Sequence, residues 1–290
     1  MRIHTPTARQ IRPYAGGRRP GYTVALAASL ALGLAACGGS GHAADGDGKQ
    51  LTIGVKYDQP GLSYKTDSGQ LKGFNVDVAR YIARKLGVPP SHITWKEVVS
   101  GNRETFIQTG QVDLVVETYS ITKERMQKVA FGGPFFLAHQ RLLVRSNDRS
   151  ISGPTTLAGH KLCSIAGSTP AQRIKQEYPK VQLQEYSQDA ECVSALLNGA
   201  IDAMTTDDVI LAGYASQHHG KLKVVGPSMS DENYGIGLKK SDTKLKNQVN
   251  AAVTQMIKDG TWKKLFRKNI PGSVYPTPRP PTVGKIVGEY

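Results

Sequence analysis

Cysteine is scarce in this 290-residue chain: there are three, Cys37, Cys163 and Cys192. An odd number in an exported protein leaves one thiol to be accounted for. Aromatic residues make up 7%, and no basic run is interleaved with them, so the usual signature of a nucleic-acid-binding surface is missing. Acidic residues are absent from positions 1–36, which hold Arg2, Arg9, Arg12, Arg18 and Arg19. Without that segment 32 basic residues face 23 acidic ones, a net charge of +9 that reads as a solvated basic face. No apolar run reaches the ~20 residues that a spanning helix needs. What is present suits a folded protein. Hydrophobic residues at 39% and charged residues at 21% supply a core and argue against wholesale disorder. The length allows one large domain or two smaller ones, and there is no internal repeat.

The apolar run Tyr22–Ala36 follows an Arg-rich, Gly/Pro-broken start and ends at Leu34-Ala35-Ala36-Cys37. A basic region, an apolar stretch and small residues before a cut are the parts of an export signal. The last four residues resemble the lipobox of bacterial lipoproteins, which makes Cys37 the expected site of lipidation and the first mature residue. Residues 1–36 are then a signal peptide and 37–49 a flexible Gly/Ser tether. With Cys37 committed to lipid, Cys163 and Cys192 remain, and in an oxidising compartment a disulfide between them is expected.

From Leu51 onward strand and helix patterns alternate. Leu51, Ile53 and Val55 repeat every second residue, whereas Val76, Ala79, Ile82, Ala83 and Leu86 share a helical face that stops at Gly87. Val112–Val116, Leu142–Val144, Leu162–Ile165, Asp202–Thr206 and Ile236–Leu238 read as strands. Asp189 is placed to cap a helix running to Leu197, and Ser241-Asp242 to open a long helix closed by Gly260. The alternation predicts an α/β fold with mostly parallel sheets. The tail 271–290, with five prolines, is expected to be extended or disordered.

Several segments, in order, resemble one family. Gly73-Phe74-Asn75-Val76-Asp77-Val78-Ala79 is similar to the signature of bacterial extracytoplasmic solute-binding proteins for polar amino acids, apart from Asn75, where an acid is common. Asp113–Val116 leads into Ser120-Ile121-Thr122-Lys123-Glu124-Arg125, then Gly133-Pro134-Phe135. Gly167-Ser168-Thr169-Pro170 and Asn198–Ala203 with Asp207 complete the set. The resemblance implies a two-lobed periplasmic-binding-protein fold (type II) that closes on its ligand about a two-strand hinge. Lobe 1 would comprise 50–134 and 236–270, lobe 2 would comprise 140–231, and the crossings would fall near 135–139 and 232–234.

It also implies a site. A free amino acid carries a carboxylate and an ammonium on one carbon, and burying both requires a fixed cation and an anion. Arg125 is expected to hold the α-carboxylate bidentately and Ser120 to offer its hydroxyl. Asp207 would take the ammonium from the other lobe, with Asp208 capping the next helix. Ser168-Thr169-Pro170 is expected to put Thr169 at a helix N-cap, leaving backbone N–H groups toward the cleft. Lys56, Ser100, Arg103 and Thr118 match the side-chain contacts of members that bind acidic amino acids. Lys56 and Arg103 are two cations without an acid in either motif. An amide side chain would leave their charge poorly compensated, at about 2–5 kcal/mol, so L-glutamate is the expected ligand and L-aspartate the competitor.

No residue in this set is left over as a general acid or base, so an enzyme on the same fold, such as a dehydratase, is the weaker alternative. The expected partners are an ABC permease and its ATPase, or else a membrane sensor. No cofactor, metal or nucleic acid is implied, and a monomer is expected.

Overall fold

The computed structural model describes residues 48–288. The signal peptide, Cys37 and nearly all of the tether lie outside them.

The first half of the chain builds one sheet and its cover. β1 (Leu51–Val55) is followed by a small antiparallel flap, β2 (Asp58–Gln59), β3 (Ser63–Lys65) and β4 (Leu71–Lys72). Then come α1 (Phe74–Lys85), β5 (Ile93–Glu97), α2 (Arg103–Gln108), β6 (Leu114–Ser120) and α3 (Lys123–Lys128). β7 (Ala130–Arg145) is a 16-residue strand that leaves this sheet and enters a second. The second sheet adds β8 (Lys161–Ile165), α4 (Thr169–Glu177), β9 (Gln182–Tyr186), α5 (Asp189–Leu197), β10 (Ala203–Asp207), α6 (Asp208–Gln217) and β11 (Leu222–Val225). β12 (Asp231–Leu238) then returns to the first sheet, where α7 (Thr243–Lys258) and α8 (Thr261–Asn269) close it.

The spatial order is β5-β1-β6-β12-β7-β10-β8-β9, with β11 on β7. β1 pairs in parallel with β5 and β6, and β8 with β10 and β9. β7 and β12 run antiparallel to their neighbours, so the sheets are mixed rather than mostly parallel. The two-lobed α/β architecture follows from this topology. β7 pairs with β12 from Ala130 to His139 and with β10 from Gln140 to Val144, so one strand belongs to both lobes. Only Leu142–Val144 of it carried a strand pattern. The Gly132-Gly133-Pro134 interruption hides the rest, and Pro134 sits in the strand all the same.

Phe135 and Phe136, where β7 crosses between sheets, are fully buried with Phe74, Tyr234, Trp262 and Phe266. Trp262 and Phe266 stack 5.5 Å apart, Phe136 stacks on both, and the Trp262 indole donates to the Phe135 carbonyl at 2.7 Å. Large rings with their polar edge satisfied thus fix the crossing to α1 and α8. The tail is extended but held. Tyr275 donates to Asp208 at 2.9 Å, the Gly284 N–H donates to the Gly133 carbonyl, and Asn233 and Val287 exchange two hydrogen bonds.

Cys163 on β8 and Cys192 on α5 form a disulfide inside the second lobe, both fully buried. The bridge closes a loop of 29 residues, for which chain entropy gives roughly 3–4 kcal/mol. Cys163→Ala with Cys192→Ala is therefore expected to lower stability in denaturant titrations by an amount of that order. An unchanged midpoint would remove the bridge from the stability account.

Candidate functional site

The site residues share one topological position. Lys56 follows β1, Ser100–Arg103 follows β5, and Thr118 and Ser120 end β6. On the other lobe Gly167–Thr169 follows β8, Asp189 follows β9 and Asp207 ends β10. These are the carboxyl ends of parallel strands, where open α/β sheets place ligand sites. The two rows face each other across a narrow cavity. Its walls include Ser100, Arg103 and Thr118 from one lobe and Ser168, Thr169 and Asp207 from the other. Lys56, Ser120 and Arg125 lie behind this wall and are buried.

Two guanidinium groups from the first lobe reach the second. Arg103 donates to the Gly167 carbonyl at 3.2 Å and Arg125 to the same oxygen at 2.9 Å. Arg103 is held by the Ser100 and Thr118 carbonyls and Arg125 by the Ser120 carbonyl. Both lie over the Tyr119 ring, 4.3 and 5.3 Å from its centre, which suits weakly hydrated planar cations. Glu104 stands 3.5 Å from Arg125. Burial, and then the charge of Arg103, draw Arg125 down to about 10.

Neither motif contains an acid, but the fold brings one to each cation. Glu117, fully buried, lies 3.4 Å from Arg103, and Asp189 lies 3.8 Å from Lys56. Glu117 directly follows the strand pattern Val112–Val116, which gives it no role, and Asp189 is expected from the sequence only as a cap. Gln188 occupies the cap position of α5, and Asp189 is its first residue, with its carboxylate turned to accept from Gln59 at 2.9 Å. Gln59, which also donates to Thr118 at 3.1 Å, had no motif to reveal it. Burial pushes the Glu117 carboxyl up and raises Asp189 to about 6 against the pull of Lys56.

Two further caps differ from expectation. Ser168, not Thr169, caps α4, accepting from the Ala171 N–H at 3.1 Å. This frees the Thr169 hydroxyl, which donates to Glu232 at 2.7 Å and lies 3.2 Å from the Ser120 hydroxyl across the cleft. Asp207, not Asp208, occupies the cap position of α6, without a capping bond from its side chain. One oxygen of Asp207 accepts from Tyr234, and the other is buried at the cavity without a hydrogen bond. Burial, and then the charge of Glu232, push the Asp207 carboxyl well above its ordinary range. Among the described residues no cluster of His, Cys, Asp and Glu is arranged to hold a metal ion, and no helix is long and apolar enough to cross a membrane.

Residues 51–272 match the bacterial extracellular solute-binding proteins, family 3. The glutamate-binding protein GluB of Corynebacterium glutamicum is 42% identical over 266 residues, covering 87% of this chain and 90% of that protein. The ABC transporter glutamine-binding protein GlnH of Bacillus subtilis is 33% identical, covering 81% and 91%. Among solved structures, an ancestral arginine-binding protein bound to glutamine superposes with a TM-score of 0.72 at 32% identity, covering 76% of this chain and 97% of its own.

An acid whose carboxyl is raised in the folded protein favours folding less as pH climbs above the unfolded value near 4, because the native state holds the extra proton. Asp207→Asn removes that dependence and leaves the Tyr234 hydroxyl an acceptor. The unliganded variant is expected to melt no lower than wild type at about pH 7, and to lose less stability than wild type between about pH 5 and 7. A marked drop in Tm at neutral pH would assign the Asp207 charge a structural role.

Proposed function

The chain belongs to the bacterial extracellular solute-binding proteins of family 3, and on that premise we propose that it captures L-glutamate by lobe closure and delivers it to an ABC permease. The observation that carries this reading is a pair of buried, opposite charges on facing lobes. Arg125 comes from the first lobe, and Asp207, with one oxygen unbonded at the cavity, comes from the second.

In this reading Arg125 and the Ser120 hydroxyl take the α-carboxylate, assisted by the backbone N–H groups at the start of α4 near Ser168 and Thr169. Asp207 takes the ammonium, and the ligand's positive charge keeps that carboxylate ionised despite its burial. Ser100, Arg103, Thr118 and Lys56 receive the side-chain carboxylate. Support for glutamate comes from two relatives at 42% and 44% identity that are named glutamate-binding proteins. The cation argument alone is weaker than the sequence suggested, because Glu117 and Asp189 already balance Arg103 and Lys56. L-Aspartate is the shorter competitor at the same contacts.

Closure needs contacts that exist only when the lobes meet. The Gly167 carbonyl with Arg103 and Arg125, Gln59 with Asp189, and Thr169 with Ser120 are contacts of this kind. The permease would read that closed shape. Cys37 would carry the lipid that keeps the protein at the membrane. One acyl chain anchors only marginally, so more than one is needed.

Calorimetry is expected to rank glutamate above aspartate, glutamine and asparagine at about pH 6. Glutamine binding at least as tight as glutamate there would overturn the ligand assignment. Asp207→Asn is expected to weaken glutamate at least tenfold, from the ~1.5–3 kcal/mol typical of a hydrogen bond to a charged group. Unaltered affinity would remove Asp207 from the site.

Closure has its own test at Gly167. This residue has a φ of +79°, and an added Cβ would lie 2.7 Å from the Gly101 Cα on the opposite lobe. Gly167→Ala is expected to leave the liganded protein less compact than wild type in small-angle scattering. Equal radii at saturating glutamate would show that the lobes close without this contact.

A further inference from the structure

Asp189 is the one charged cavity residue to which the proposed head-group and side-chain contacts assign no role. It stands on the second lobe, 1% exposed, and faces the first. One carboxylate oxygen accepts from Gln59, and the other is buried without a hydrogen bond. Its ion partner Lys56, 3.8 Å away, likewise has a buried ammonium without a hydrogen bond. An unbonded acceptor on the cavity wall and an unbonded donor buried behind it thus stand together where the ligand side chain is expected.

The charges there already balance: Lys56 and Arg103 against Asp189 and Glu117. A glutamate side chain brings one more negative charge into a desolvated space, against a carboxylate. Two carboxyl groups in contact and out of water do not both stay ionised. We propose that Asp189 takes up one proton from solvent when glutamate binds and donates it to the ligand's side-chain carboxylate. The inference rests on the glutamate reading above. The gain is a short, charge-assisted hydrogen bond in place of repulsion, with Lys56 released to face the ligand.

The surroundings of Asp189 favour this proton. Burial outweighs the attraction of Lys56 and raises the group to about 6, and Asp58 on β2 adds to the rise, while Gln59 and Arg103 oppose it. Asp58 itself accepts from the Ala190 N–H beside Asp189. On the second lobe the facing groups are Asp207, ending β10, and Tyr214 on α6, whose phenol donates to the Asp58 carbonyl. Charged groups on the other elements around α5 are engaged elsewhere or exposed. Glu191 accepts from Ser187 and Gln188, Arg145 on β7 pairs with Asp202, Glu185 on β9 pairs with Lys175, and Lys161 on β8 is exposed. Glu117 also has a raised carboxyl, but it lies behind Arg103 and does not line the cavity.

Glutamine behaves differently at the same place. Its side-chain amide donates to the ionised Asp189 and needs no proton. Asp189 thereby becomes a specificity residue whose preference depends on pH, and glutamate gains on glutamine as the medium turns acidic.

The test is calorimetry of the protein in buffers of different ionisation enthalpy at about pH 7 to 8, which counts protons per ligand bound. Glutamate is expected to bind with close to one proton more than glutamine, because any proton that Asp207 releases on meeting the ligand ammonium is common to both. The ratio of glutamate to glutamine affinity should fall about tenfold from pH 7 to pH 8 and level off below about pH 5, as linkage to a group titrating near 6 requires. Asp189→Asn should abolish this difference and its pH dependence, whereas Glu117→Gln should keep both. Equal proton counts for glutamate and glutamine overturn the proposal and leave the glutamate reading standing. A difference that survives in Asp189→Asn overturns the assignment to Asp189, and its loss in Glu117→Gln would move it to Glu117. Failure of glutamate to bind at any pH overturns both.

Discussion

Arg103 and Arg125 donate to one carbonyl oxygen, that of Gly167 on the opposite lobe, and much of the cleft is arranged around that convergence. Guanidinium groups so placed must leave water, and the cost is tolerable only where acceptors and counter-charges are already fixed. The end of β6 supplies carbonyls, Glu104 and Glu117 supply charge, and Tyr119 supplies a face on which both cations rest. Gly167 itself must approach the Gly101 backbone more closely than any side chain permits. The motif Gly167-Ser168-Thr169-Pro170 therefore does more than start a helix. Its glycine carries the carbonyl that joins the lobes, its serine caps α4, and its threonine spans to Ser120 and Glu232.

The resemblance carried the two-lobed architecture, and the residue patterns carried the strands at Leu51–Val55 and Leu162–Ile165 and the helices opened at Phe74 and Thr243. What escaped the sequence had physical causes. β7 crosses both sheets through Gly132-Gly133-Pro134, a stretch that reads as a break although its backbone is extended and its pairing continues. The three cap positions were each misplaced by one residue, because neighbouring polar side chains in Ser168-Thr169, Gln188-Asp189 and Asp207-Asp208 compete for the same role. Only tertiary context decides which of them turns toward the cleft.

That one-residue ambiguity matters for the site. Asp189 read as a cap is a structural residue, whereas Asp189 turned into the cavity is a charge that must be neutralised. Glu117 was hidden for a related reason: a lone acid next to an apolar run is easily taken for the end of a strand. Cations are easier to find from local motifs than their counter-ions, because the counter-ions here come from a buried strand and from the other lobe. A ligand preference inferred from cations alone is therefore biased toward anions.

The tail bears on the proposed closure of the lobes. Residues 275–288 touch Asp208 at the start of α6, Gly133 before the crossing on β7, and Asn233 on β12. Two strands connect the lobes covalently, and the chain's own last stretch lies along them as a third ply. In the proposed closure, a bend at β7 and β12 would act on these bonds, and the final residues would then serve as a strain gauge at the pivot. A fluorophore attached there would read lobe angle from outside the cleft, without touching any residue that faces the ligand.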